Sequence, residues 1–221
     1  MQLRKWTFIF TAIIGILLII FPSVDLAVSN HFYVPGEGFI YAKEPWAQAI
    51  FKGIPVVATV TSVSLSIIIL FQFFRNRASI KTLKSPVLFL LIALALGPGF
   101  SVNLLLKENF GRARPHQVTE LGGTKEFSRA GHYTDQCETN CSFSSGHASM
   151  GFYFTSFSYI VPAPYQAAVF VTGAVFGGVV GMGRIVQGGH FFSDVIFSFL
   201  VIMLMNEVSF RIWRRLCRER P

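Results

Sequence analysis

Residues Ile54–Phe74 read IPVVATVTSVSLSIIILFQFF and contain no charged side chain. An uninterrupted apolar run of about 20 residues is long enough to cross the hydrocarbon core of a bilayer as a helix. The rest of the chain agrees, because 52% of its 221 residues are hydrophobic and only 14% are charged. A soluble domain has too little interior to bury this apolar surface. The composition indicates an integral membrane protein and excludes a disordered chain, a coiled coil and a small disulfide scaffold.

Six apolar stretches of this kind predict an all-α, polytopic membrane protein with six transmembrane helices in one bundle. The predicted spans are Trp6–Phe21, Ile54–Phe74, Pro86–Leu106, Phe143–Val161, Tyr165–Met182 and Phe191–Phe210. The first could be a cleaved signal peptide, because Arg4 and Lys5 precede it, but no small-residue cleavage site follows, which favours a retained helix. We find no repeat or linker, and expect a single integral-membrane domain over residues 1–221, with the 107–142 loop as a partial lid.

The positive charges predict the orientation of these spans. With a cytoplasmic N-terminus, most of the 19 Lys and Arg residues fall on the cytoplasmic side: Arg4, Lys5, Arg75, Arg77, Lys81, Lys84, Arg211, Arg214, Arg215, Arg218 and Arg220. Cytoplasmic loops are enriched in these residues, so we expect both termini in the cytoplasm and the large loop on the outer side. The protein would then lie in a bacterial inner membrane, with this loop in the periplasm. The net charge of +8 is therefore explained by topology, without binding of nucleic acid.

All five histidines fall on the predicted outer side: His31, His116, His132, His147 and His190. The same side holds Cys137 and Cys141, which can be oxidised in a periplasm. A disulfide is favoured over a zinc site, because further metal ligands do not follow at a recognisable spacing.

The sequence KENFGRARP, residues 107–115, places three cations just beyond the third predicted span. Lys107, Arg112 and Arg114 can be ordinary contacts to lipid headgroups. They can also bind a phosphate, which an arginine contacts through two N–H groups and a lysine contacts as a point charge.

Ser144-Ser145-Gly146-His147 opens the fourth predicted span. Free N–H groups and the helix dipole favour an anion at such a helix start. Ser145 and Gly146 can therefore contact a phosphate, and His147 can exchange a proton with it. The alternative is a simple helix cap followed by an interfacial histidine.

Arg184, His190 and Asp194 form the third group, where the last predicted span begins. His190 and Asp194 are four residues apart, hence on one helical face. The carboxylate can accept one imidazole N–H and leave the other nitrogen free as a nucleophile. The alternative is a buried pair that satisfies only itself. The three groups in order, each at a helix end on one membrane face, favour a phosphoryl-transfer site.

The three patterns K-x6-R-P, S-G-H and R-x5-H-x3-D resemble the signature motifs of the type-2 phosphatidic acid phosphatase superfamily. Ser144 and Gly183 depart from its commonest pattern, and neither departure removes a catalytic group. The segments FPSVDL, HFY, NCSFSSGHASMGF and QGGHFFSD further resemble the Gram-negative lipid A phosphatase branch.

This resemblance implies a six-helix bundle and a phosphatase that uses His190 as nucleophile, Asp194 to orient it and His147 as general acid. It implies that Lys107, Arg114, Arg184, Ser145 and Gly146 hold the phosphate, and Arg112 can assist. No metal or cofactor is implied, and the chain lacks the carboxylate cluster of a two-metal phosphatase.

Several substrates agree with this pattern: a lipid A phosphate, phosphatidylglycerophosphate, phosphatidic acid or undecaprenyl pyrophosphate. The alternative from another class is a phosphate or anion transporter. Transporters carry polar groups at the bilayer midplane, whereas here the polar groups gather at one face, which favours the enzyme. A haloperoxidase is disfavoured because those relatives are soluble.

Overall fold

The structure, a computed structural model, describes residues 2–75 and 80–218 and is mostly helical, with one short hairpin and a long irregular segment over residues 122–145. The α-helices are α1 (Gln2–Ile20), α2 (Ser23–Asn30), α3 (Pro45–Arg75), α4 (Ile80–Leu83), α5 (Pro86–Leu94), α6 (Lys107–Asn109), α7 (Gly146–Tyr153), α8 (Gln166–Val186) and α9 (Phe192–Arg218). A π-helical segment, Ala95–Leu106, joins α5 to α6, and 3-10 helices cover Pro115–Gln117, Thr119–Leu121, Phe154–Tyr159 and Ala163–Tyr165. Strands β1 (Tyr33–Val34) and β2 (Gly38–Phe39) pair antiparallel, with Tyr33 opposite Phe39. The predicted all-α class is confirmed.

Five of the described helices are long and apolar enough to cross a membrane: Gln2–Ile20, Pro45–Arg75, Pro86–Asn109, Ala163–Val186 and Phe192–Arg218. The stretch predicted as a sixth span, Phe143–Val161, instead forms α7 and the 3-10 helix after it. These two short pieces are about 24 Å long together, less than the hydrocarbon thickness of about 30 Å. Nine of their 14 residues are buried among the longer helices, and the other five are half-buried. The count of six spans therefore stays a prediction. Of the bases used to predict the orientation, Arg77 and Arg220 lie outside the described residues.

Helix α3 begins nine residues earlier than the apolar run suggests, at Pro45 rather than Ile54. Proline is well suited to a first helical turn, where its missing N–H needs no partner. The segment between the first two predicted spans, residues 22–53, therefore contains α2, the hairpin and the first turns of α3.

Helix α8 packs closely on α7, the 3-10 helix after it and α9 through three glycines spaced four residues apart. A Cβ atom added at Gly173 would lie 2.6 Å from the backbone nitrogen of Thr155, and one at Gly177 would overlap the Phe152 ring. One at Gly181 would overlap Val195 of α9. Small residues at such spacing let helix backbones approach. This contact fixes the start of α7 relative to the end of α8.

The π-helical segment continues the same long helix past Pro98. Proline has no backbone N–H and its ring crowds the preceding turn, which a wider π turn accommodates. The Asn103 side-chain amide donates to the Pro98 carbonyl oxygen over 2.8 Å. The helix therefore stays continuous to α6, where Lys107 is positioned.

Candidate active site

The three predicted motif segments meet around one cavity of about 340 Å³, where their helices end. The cavity is lined by five of the predicted site residues: Lys107, Arg114, His147, Arg184 and His190. Lys107 comes from the end of a long helix, His147 from the first turn of α7, and Arg184 from the last turn of α8.

His190 has the geometry of a nucleophile. Its side chain is buried, and Nδ1 donates to the carbonyl oxygen of Ser142 over 2.8 Å. Burial lowers the pKa of His190 to about 3, so the free ring is neutral at physiological pH. Because Nδ1 carries the proton, Nε2 has its lone pair available, and Nε2 has no hydrogen-bond partner within the described part of the chain. An unprotonated imidazole nitrogen at a cavity wall can attack phosphorus.

Asp194 orients this ring less directly than the sequence suggests. Its Oδ2 atom lies 3.6 Å from His190 Nδ1, which is too long for a hydrogen bond. The predicted acceptance of the imidazole N–H by Asp194 is therefore wrong for this structure, because the Ser142 carbonyl takes that place. Asp194 Oδ2 instead accepts from Ser142 Oγ at 2.5 Å and from the backbone N–H of Phe191 at 2.9 Å. Its charge remains close enough to stabilise a protonated His190.

Arg112 is completely buried and does not reach the cavity. Its Nε donates to the Ser128 carbonyl, Nη1 to Ser193 Oγ and to Asp194 at 2.6 Å, and Nη2 to Asp25 at 2.8 Å. The predicted help in phosphate binding is therefore wrong, since every guanidinium nitrogen is already engaged by protein. Arg112 instead holds the Asp194 carboxylate.

Asp25 is a site residue that the sequence reasoning missed. It lies in the first turn of α2, is completely buried and accepts from the Ser193 N–H at 2.8 Å. Burial raises the pKa of Asp25, while the charge of Arg112 opposes that rise. Its only signal in the sequence is an acid directly after the first apolar run, within FPSVDL. Asp25, Arg112 and Asp194 thus form a buried acid–base–acid chain behind His190.

Among the described residues, the three cations around the cavity have no carboxylate partner. Lys107 and Arg184 are only 8% and 5% exposed, and neither they nor Arg114 forms a salt bridge in residues 2–75 and 80–218. Arg184 Nη1 donates to the Gln187 side chain, and its guanidinium carbon lies 4.6 Å from the Phe51 ring centre. Buried charges are normally paired. Two buried cations and the half-buried Arg114, all without a carboxylate partner in the described residues, indicate a site for an anion with several negative charges.

The start of α7 carries three of the predicted site residues, Ser145, Gly146 and His147. Ser145 is completely buried, and its hydroxyl accepts the Ala148 N–H at 3.3 Å as a helix cap. This bond uses the hydroxyl only as an acceptor and leaves its proton free to donate, so the contact between Ser145 and phosphate stays a prediction. The N–H groups of Gly146 and His147 have no acceptor within the helix. The Nε2–H of His147 donates to the Phe51 carbonyl at 3.0 Å, so proton transfer to substrate uses Nδ1 or requires Nε2 to leave Phe51.

Cys137 and Cys141 form the predicted disulfide, which is confirmed. It closes a short loop immediately before Ser142, the residue that binds both His190 and Asp194.

The family model of the PAP2 superfamily matches residues 86–216, which contain all three motif segments. The chain belongs to the PAP2 superfamily. Membership confirms the predicted resemblance. It also confirms that the protein is a membrane phosphatase, a phosphoric monoester hydrolase.

Two relatives are similar to this protein over most of the chain. A lipid A 4′-phosphatase of Francisella tularensis subsp. novicida (strain U112) is 32% identical over 202 residues, 90% of each protein. A lipid A 4′-phosphatase of Rhizobium leguminosarum is 30% identical over 204 residues, 81% of this chain and 83% of the relative. The crystal structure of a transmembrane PAP2-type phosphatidylglycerolphosphate phosphatase from Bacillus subtilis covers both chains completely with a TM-score of 0.58 and 22% identity, which shows a shared fold.

Proposed function

We propose that the protein is a metal-independent lipid A phosphatase that works through a phosphohistidine on His190. The observation that carries this proposal is the cavity itself, which is lined by three cations and by a neutral histidine. In the part of the chain that the structure describes, the cations have no carboxylate partner and His190 Nε2 has no hydrogen-bond partner. The lipid A substrate is supported by the names of the two relatives, each at least 30% identical over more than four fifths of this chain.

The mechanism proceeds in two displacements at phosphorus. The lone pair of His190 Nε2 attacks phosphorus while the bond from phosphorus to the lipid oxygen breaks, and His147 gives that oxygen a proton. Water then attacks the phosphohistidine, returning a proton to His147 and releasing phosphate with the nitrogen–phosphorus electron pair restored to Nε2. Lys107, Arg114 and Arg184 bind the non-bridging oxygens and stabilise the charge in each transition state.

Phosphate release from purified protein in detergent tests the substrate. The panel contains lipid A, phosphatidylglycerophosphate, phosphatidic acid and undecaprenyl pyrophosphate, each with a chelator present. We expect lipid A to be dephosphorylated with the highest kcat/KM, and the chelator to leave that rate unchanged. A faster rate on another lipid would replace lipid A as substrate, and no release from any lipid would favour the transporter.

The proposal includes a topology: an inner-membrane protein with cytoplasmic termini, a periplasmic active site and residues 107–142 as a partial lid on a single domain. The basic residues near both chain ends support it. Reporter fusions after Phe74 and after Lys125 should score as cytoplasmic and periplasmic, respectively. Two cytoplasmic scores would contradict both the topology and the periplasmic site.

A further inference from the structure

Asn140 lies between the two cavity cations that the K-x6-R-P motif supplies. Lys107 Nζ donates to the Asn140 side-chain oxygen over 2.5 Å, and Arg114 Nη2 donates to the Asn140 backbone oxygen over 2.7 Å. One residue therefore binds both motif cations through two different oxygen atoms. Asn140 also lines the cavity.

The backbone of Asn140 is held in a conformation that makes this double contact possible. Its φ of 51° is positive, and it is the only non-glycine residue with a positive φ in the described part of the chain. Asparagine tolerates this left-handed region better than most residues. The Cys137–Cys141 disulfide closes the loop around Asn140, and the Ser142 N–H donates to the Arg112 carbonyl at 2.8 Å directly after it. The turn is thus fixed on both sides.

The charges around the cavity explain why an uncharged oxygen donor suits this position. Lys107, Arg114 and Arg184 repel one another when the cavity holds no anion. The two Asn140 oxygens offset that repulsion through partial negative charge, yet leave the net positive charge intact for the substrate. A carboxylate at the same place would form an ion pair with Lys107 and compete with phosphate.

We propose that Asn140 is a positioning residue that holds Lys107 and Arg114 ready for the substrate phosphate. The disulfide contributes to this positioning, because it fixes the turn that presents both Asn140 oxygens. This inference rests on the proposed phosphatase function and adds a residue outside the three motifs. Long side chains lose freedom when they order around a ligand, and ordering them beforehand improves affinity by roughly 10-fold.

The test compares Asn140→Gly and Asn140→Asp with the wild-type protein in detergent. Glycine accepts the positive φ and keeps the backbone oxygen for Arg114, but removes the oxygen that binds Lys107. We expect KM for the lipid and the inhibition constant of vanadate to rise together by roughly 10-fold, with little change in kcat. Thr139→Ala, in the same loop and exposed, is the matched control and should behave as wild type.

Asn140→Asp separates positioning from a purely structural role. Aspartate is nearly identical in shape and keeps both oxygens, so a structural role predicts a mild effect. Positioning predicts a larger loss of vanadate affinity than in Asn140→Gly, recovered in part as the pH falls and the new carboxylate is protonated. The double variant Cys137→Ser, Cys141→Ser should raise KM in the same direction, since it frees the turn.

Two results would overturn the inference: vanadate affinity that is unchanged in Asn140→Gly, or affinity that increases, which would make Asn140 a competitor of phosphate. Vanadate binding is also measured by calorimetry, which requires no turnover. A wild-type protein that binds vanadate but hydrolyses no lipid would reject the proposed function alone, and the calorimetric comparison would still decide the role of Asn140.

Discussion

Replacing His190 with alanine should abolish lipid dephosphorylation and the phosphoenzyme together, lowering kcat by roughly 10⁴-fold or more. The reason is geometric, because Nε2 of His190 is the nucleophilic atom at the cavity wall and has no hydrogen-bond partner in residues 2–75 and 80–218. Turnover is stopped in alkaline detergent, since a phosphorus–nitrogen bond is labile in acid, and labelled phosphate on the protein is counted. The exposed His132→Ala variant is the control and should retain both activity and label.

His147→Ala gives the complementary result. Without a general acid the first step should be slow for a lipid, but faster for an aryl phosphate whose leaving group needs no proton. Label on a residue other than His190, or full activity in His190→Ala, would contradict the two-displacement mechanism.

Replacing Arg112 with leucine should cause the largest loss of stability among the variants considered. It leaves the buried carboxylates of Asp25 and Asp194 without their shared cation, and removing one partner of a buried ion pair costs about 3–5 kcal/mol. Asp25→Asn keeps a one-to-one pair between Arg112 and Asp194, so its cost should be smaller, about 1–3 kcal/mol. Thermal unfolding in detergent measures both.

Kinetics of the same variants test whether Arg112 acts through Asp194. Because Arg112 has no cavity-facing nitrogen, Asp25→Asn and Arg112→Lys should lower kcat and leave the inhibition constant of vanadate nearly unchanged. A large change in vanadate affinity with normal kcat would show instead that Arg112 binds the phosphate. Wild-type stability in Arg112→Leu would contradict the buried chain.

The chemistry-bearing motifs could be located from the sequence because they are local. Spacings of a few residues, as between His190 and Asp194, fix residue types on one helix face regardless of the remaining fold. The long apolar runs likewise predict helices without knowledge of their neighbours. Phe143–Val161 is also helical, but in two short pieces, because burial among other helices and membrane crossing produce the same composition.

The parts that sequence reasoning missed are contacts between distant segments. Arg112 binds Asp25 across 87 positions, and Arg114 binds the Asn140 carbonyl across 26. The Ser142 carbonyl that holds His190 is backbone, so no residue type identifies it. The local motif also predicted wrongly that Arg112 binds phosphate. An arginine in a cation-rich motif looks the same in the sequence whether its partner is a ligand or a buried acid.

The contact between Asp25 and Ser193 also constrains how the protein is assembled during synthesis. The two residues are 168 positions apart, so at about 5–20 residues per second the ribosome needs roughly 10 to 30 s to make the second after the first. During that interval Asp25 lacks Ser193 and, until the chain reaches it, Arg112. Because Asp25 lies on α2, beyond the end of α1, its carboxylate can remain in water or among lipid headgroups during this time rather than in hydrocarbon. Completion of the last helix then withdraws it from solvent, so the catalytic end of the bundle is the final part to close.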